Sequence, residues 1–146
     1  MPSAFLTSMS AVSARPSRAL HLSLWLVQVL LAGVFFLVGY THALAPIEVA
    51  MMRAPWVAAL PVALIRFIGV VELAGGIGVV LPAATRVLPG LTPLAAAGLA
   101  IVMALAIPFH LLRGEVTAIG VNLALGALAA FVAWGRTRGA RIHSRG

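Results

Sequence analysis

Six polar side chains sit in or beside otherwise apolar runs: Tyr40, His42, Arg66, Glu72, His110 and Asn122. Glu72 is the most demanding. It lies in the run Pro61–Leu81, and the stretch from Leu73 to Leu81 has no polar side chain. A carboxylate at the centre of a membrane-length helix costs about 2.5–3.5 kcal/mol on insertion scales, so it needs a partner, a proton or a task. With a histidine, His42 or His110, it can hydrogen-bond the polar head of an apolar molecule or exchange protons with it. Arg66 is six residues away, about 9 Å of helix rise and roughly 120° round the helix. That makes it a poor direct partner. A histidine or the Asn122 amide from another segment is the better one, and Asn122 is also suited to a helix–helix hydrogen bond. Arg66 serves either the same pocket or the headgroups, by snorkelling. His42, His110 and Glu72 have the ligand types of a metal site, but no His-x-x-x-His spacing supports one, and none is expected.

The elements that must position these residues are membrane spans. The chain has 146 residues, of which 62% are hydrophobic and 9% charged. Soluble domains are nearer about 25% charged, so the chain reads as one integral membrane domain. Four apolar runs have spanning length: 22–44, 61–81, 91–112 and 117–134. Pro46, Pro82, Pro89-Gly90, Gly114 and Gly135 punctuate them. No strand periodicity appears. The expected fold is all-α, a bundle of four transmembrane helices. Residues 1–21 are expected to be a disordered N-terminal segment, 22–135 the membrane domain, and 136–146 a basic, solvated tail in contact with anionic lipid. A signal peptide cut after Ala43-Leu44-Ala45 is the alternative for the first run; its length and the position of Pro46 favour a retained span.

Ten Arg stand against three Glu. Arg15, Arg18, Arg86, Arg136, Arg138, Arg141 and Arg145 fall on one side of the four-span layout, Arg53 and Arg113 on the other. This asymmetry places both termini in the cytoplasm, and it explains the basicity without nucleic acid as a partner. The connection 46–60 then lies outside. With Trp56 in it, it reads as an interfacial segment, a short helix over the bundle. Tyr40, His42, Arg66, Glu72, His110 and Asn122 all come to the outer half of the membrane, as a polar pocket or a buried network. Gly69, Gly75 and Gly76, at i−3, i+3 and i+4 of Glu72, turn it towards a neighbouring helix. Gln28, near the inner end, reads as structural. The chain has no Cys, which excludes disulfides, thiol chemistry and Cys-bound zinc or iron–sulfur clusters. In any redox role the electrons are carried by something else.

From about Leu24 to Arg136 the chain resembles the DoxX-like family of small four-helix bacterial membrane proteins. The landmarks are Gly39-Tyr40-Thr41-His42, the stretch Arg66 to Gly76 around Glu72, Leu81-Pro82, His110 with Arg113-Gly114-Glu115, and Asn122-Leu123. His42 departs from the family pattern, in which a Lys is common; a titratable group replaces a fixed charge. The resemblance implies a multi-pass protein of the bacterial cytoplasmic membrane. It further implies an anchor or accessory subunit of a quinone-linked oxidoreductase, with a soluble or membrane enzyme as partner and a quinone as possible cofactor. A stand-alone binder or carrier of lipid or a small hydrophobic molecule, or an intramembrane acid–base enzyme using Glu72 and His110, is the alternative.

Overall fold

The computed structural model describes residues 18–145. Residues 1–17, most of the expected disordered segment, lie outside the described residues. Five α-helices follow in order: α1 (Arg18–Ala43), α2 (Ile47–Arg53), α3 (Val62–Thr85), α4 (Leu91–Leu112) and α5 (Val116–Trp134). A 3₁₀ turn, Pro55–Ala59, separates α2 from α3, and a π turn, Gly135–Gly139, prolongs α5. There is no strand among the described residues. α1, α3, α4 and α5 with its π turn are long and apolar enough to cross a membrane. Helices are what such segments must form, because no water inside the bilayer can satisfy a free backbone N–H or C=O.

The boundaries follow the punctuation. Pro46 and Pro61 each precede a helix start, where a missing N–H costs nothing. Gly114, at φ 70°, turns the chain between α4 and α5, a conformation that glycine adopts freely. α1 begins four residues earlier than the apolar run implied: residues 18–21 are helical, and Leu20 packs against the core.

The helices pack as two intimate pairs, α1 with α3 and α4 with α5; α3 also meets α4, whereas α1 and α5 touch much less. Glycines make the first pair close. A Cβ on Gly69 would stand 2.3 Å from the Ala43 backbone nitrogen, and one on Gly39 would stand 2.7 Å from that of Leu73. Backbone therefore lies against backbone, as small residues permit in membranes. Leu31, Phe35, Val79, Leu99, Met103 and Ala129 form the central apolar layer. No more than 28% of any span's most apolar window is buried within the bundle, so the outward faces are left for lipid. A smaller cluster, Ala50, Val57 and Ile65, fastens residues 47–60 onto the start of α3. This makes a cap. Below, the capped end is the one covered by residues 46–60, and the terminal end is the one where α1 begins and α5 finishes.

Candidate functional site

Two histidine–carboxylate pairs define the capped end. His42, in the last turn of α1, and Glu72, at mid-α3, are buried together, with side chains 5% exposed in each case. His42 Nδ1 is 2.8 Å from Glu72 Oε2. Gly69, one turn before Glu72, brings the α1 backbone close enough for this contact. Of the partners considered for Glu72, His42 is the one the fold supplies.

His110, in the last turn of α4, is also buried, and its Nδ1 is 2.6 Å from Glu115 Oε2. Arg113 Nε donates to the other oxygen of that carboxylate at 2.8 Å. The hydrogen bond to His110, followed by that to Arg113 and their charges, outweighs desolvation and holds the Glu115 carboxyl below its ordinary value of 4.5. The Gly114 turn places this carboxylate back over the end of its own helix.

Trp56 joins the two pairs. Its ring meets His42 edge-on at 5.3 Å and 72°, and His110 at 5.6 Å and 89°. Phe109 packs against Trp56 at 6.0 Å. Within the segment expected at the interface, the half-buried Trp56 ring forms a roof between the two imidazoles. Periodicity gives no direction to a residue in a five-residue 3₁₀ turn, so sequence offered no signal for this.

Beneath Trp56 lies a pocket of about 960 Å³. Its polar lining includes His42, Glu72, His110, Glu115 and Asn122, with Thr41, Arg53 and Thr117 beside them; Phe35, Val38, Met103, Val121 and Leu125 are among its apolar walls. From His42 to Phe35 it spans seven residues of α1, about 10 Å of depth. The Asn122 amide nitrogen is buried with no hydrogen-bond partner. The expected helix–helix bond through that donor is therefore missing, in a setting where buried donors are nearly always paired. Leu37, Val116 and Val121 line the pocket and are exposed; Leu37 belongs to α1 and the two valines to α5, helices that touch far less than the two close pairs do. The pocket thus borders the lipid-facing surface through apolar side chains.

Arg66 and Tyr40 are not in this lining. Arg66 Nη1 donates to the carbonyls of His42 (2.9 Å) and Ala45 (2.7 Å). It caps the C-terminus of α1, where a cation meets the negative end of the helix dipole, and so fixes the backbone of His42. Tyr40 is 50% exposed and faces away from the bundle. Among the described residues no three His or acidic side chains come together as a metal-ligand set.

A second polar cluster lies at the terminal end. Gln28 is fully buried, and its amide nitrogen donates to Val79 O. Its amide oxygen accepts from Nε of Arg136 at 2.7 Å and from Nη2 of the same guanidinium. Arg136 also donates to Ala140 O and stacks over Trp25. It was expected in a solvated tail, yet it is 4% exposed. Its place at the end of a span made it look like one more topological charge; a Gln28 facing the interior of the same end was the available signal.

Four apolar helices, two close helix pairs and a capped pocket between them define a small helical multi-pass membrane protein. The sequence model of the DoxX-like family matches residues 26–132, and the chain belongs to that family. No curated protein and no solved structure matches it.

Proposed function

We propose that this chain binds a small apolar molecule with a hydrogen-bonding head, of the quinone type, in the pocket under Trp56. In this reading it acts as an anchor or accessory subunit of a membrane oxidoreductase system in the bacterial cytoplasmic membrane, with both termini in the cytoplasm. The observation that carries the binding role is the unpartnered amide nitrogen of Asn122, buried in the lining of the same apolar-walled pocket of about 960 Å³ as the His42–Glu72 pair. Pockets for small ligands have this character: a few convergent polar groups in an apolar surround, within about 300–1,000 Å³. A quinone carbonyl would give the Asn122 amide the acceptor it lacks. When bound, such a molecule supplies the redox chemistry; the chain supplies binding, orientation and a proton. Asn122 Nδ2 donates to the head, and the His42–Glu72 pair holds a proton between Nδ1 and Oε2, next to the head. His110 and Glu115 form a second pair at the rim, within reach of water. Phe35 and Met103 of the central apolar layer line the pocket, which favours a binding site over a polar conduit. Partnership with an enzyme rests on the resemblance to the DoxX-like family alone.

The test is mass spectrometry of small molecules and proteins retained by gently purified wild type, beside Glu72→Gln. The expected result is an apolar ligand in the wild type, lost from an equally well-folded variant, and a co-purifying enzyme. Identical, featureless profiles would remove the binding role. The two His–Glu pairs on one pocket also favour a second reading, a stand-alone acid–base enzyme or binder. Ligand retention without any partner protein decides for it.

A further inference from the structure

Among the described residues, the terminal end holds a buried cation with no acidic side chain beside it. Arg136 is 4% exposed, and its hydrogen-bond partners are neutral: the Gln28 amide oxygen, the Ala140 carbonyl and a long 3.4 Å contact with His21 Nδ1. The chain's three acidic side chains are Glu48, Glu72 and Glu115. Glu72 and Glu115 line the pocket at the capped end, and Glu48 lies in α2 of the cap itself. None of them reaches Arg136: from Gln28 to His42 alone is 14 residues of α1, about 21 Å. A buried guanidinium left unpaired is costly, and such groups pair with an anion when one is within reach.

Arg136 borders a cavity of about 260 Å³, lined also by Arg141, Thr137, Ile142 and the start of α4 at Pro89, Gly90 and Pro93. The first turn of α4 carries no acidic residue and no side-chain cap, so the positive end of a 22-residue helix adds to the same field. Arg141 is exposed, and its Nε is bonded to Thr137 O, leaving the two terminal nitrogens of its guanidinium to take an oxyanion.

We propose that the Arg136–Arg141 cavity is a binding site for a phosphate group, in which Arg136 supplies the fixed charge and Arg141 closes over the ligand. It is separate from the pocket under Trp56 and stands independently of what that pocket binds. Two sources carry the same chemistry: the headgroup of an anionic phospholipid, and free phosphate from solution.

The experiment uses the full chain in a neutral detergent, with thermal unfolding and native mass spectrometry as readouts. The probes are phosphatidylglycerol, phosphatidylcholine and inorganic phosphate, against wild type, Arg141→Gln, Arg136→Gln and Glu72→Gln. Phosphatidylglycerol is expected to raise the unfolding temperature and stay bound to wild type and Glu72→Gln. In Arg141→Gln, which leaves the buried network intact, the affinity is expected to fall at least fivefold. Stabilisation by inorganic phosphate to the same degree assigns the site to a soluble anion, and stabilisation by phosphatidylglycerol alone assigns it to an anionic headgroup. Should Arg136→Gln fail to fold, Arg141→Gln still decides. Equal stabilisation by phosphatidylglycerol and phosphatidylcholine with no effect of phosphate overturns the proposal, as does Arg141→Gln binding like wild type.

Discussion

Removing the His42 imidazole leaves Glu72 alone in a site it cannot leave. The pair is nearly solvent-free, but it joins two helices in a membrane, where the unpaired state finds other partners. Interhelical hydrogen bonds there average about 0.6 kcal/mol and reach about 1.7, below the 3–5 kcal/mol lost on breaking a buried ion pair in a soluble core. A double-mutant cycle over His42→Ala and Glu72→Gln in detergent unfolding is expected to give a coupling of about 0.6–1.7 kcal/mol; zero would mean that the contact is not formed. Glu115 behaves differently because it is partly exposed. Its depressed pKa means that its contribution is complete above the ordinary carboxylate value of 4.5 and is lost as pH falls through the lower, folded-state value. Wild type should therefore outlast Glu115→Gln in thermal unfolding near neutral pH, and the gap should close only in acid below that value. A gap that is unchanged in strong acid would exclude the His110–Glu115 bond as its source. At this scale the sequence showed which residues were out of place among apolar neighbours, since any carboxylate or amide in such a run stands out. It did not show direction. Tyr40 is two residues from His42 and so points elsewhere on the helix, and Arg66 spends its donors on backbone carbonyls that only the folded loop brings near.

The close pair of α1 and α3 is what converts these residues into a site. Gly69 is the tightest point: an added Cβ would meet the Ala43 nitrogen at 2.3 Å and the His42 carbonyl carbon at 2.7 Å. These are backbone atoms of a helix and cannot rotate aside. Gly69→Ala must part α1 from α3 at the level of His42, so it is expected to cost about 1–3 kcal/mol, in the range of overpacked cores, and to break the His42–Glu72 contact, with loss of whatever apolar molecule the wild type retains. Gly33→Ala is the control, since nothing lies within 4 Å of its added Cβ; it should alter stability by less than about 1 kcal/mol. If both variants behave alike, close helix approach is not what holds the site. The helices themselves were legible, because span length and proline punctuation are written in the chain. The glycines at i−3 and i+4 of Glu72 rightly marked faces of close approach: Gly69 receives the α1 backbone, and Gly76 receives Phe35 and Phe36. Less legible were the ends. Gly135–Gly139 keeps turning as a π segment and carries Arg136 inward, a register shift that no 3.6-residue pattern announces.

On the scale of the whole molecule, an apolar layer divides two polar ends of opposite character. The capped end contains all three Glu, with Arg53, Arg66 and Arg113; the terminal end has Arg18, Arg86, Arg136, Arg138, Arg141 and Arg145 and no acidic side chain. Burial of Arg136 removes one charge from the surface count but leaves the asymmetry standing, and it is this asymmetry in short connections that sets orientation. The terminal end should therefore face the cytoplasm and the cap with Trp56 the opposite side. The absence of Cys makes the test direct, because a single introduced thiol is the only one in the chain. Arg53→Cys in the cap and Ser144→Cys in the tail both replace exposed side chains. In intact bacterial cells whose outer membrane has been made permeable, a membrane-impermeant maleimide is expected to label Arg53→Cys and to label Ser144→Cys only after the inner membrane is opened. The reverse pattern would turn the molecule over. It would then present the pocket's rim, with His110 and Glu115, to cytoplasmic partners, and the Arg136–Arg141 cavity to the outer leaflet. The labelling result thus fixes which compartment the rim with His110 and Glu115 faces, and which leaflet lies at the Arg136–Arg141 cavity.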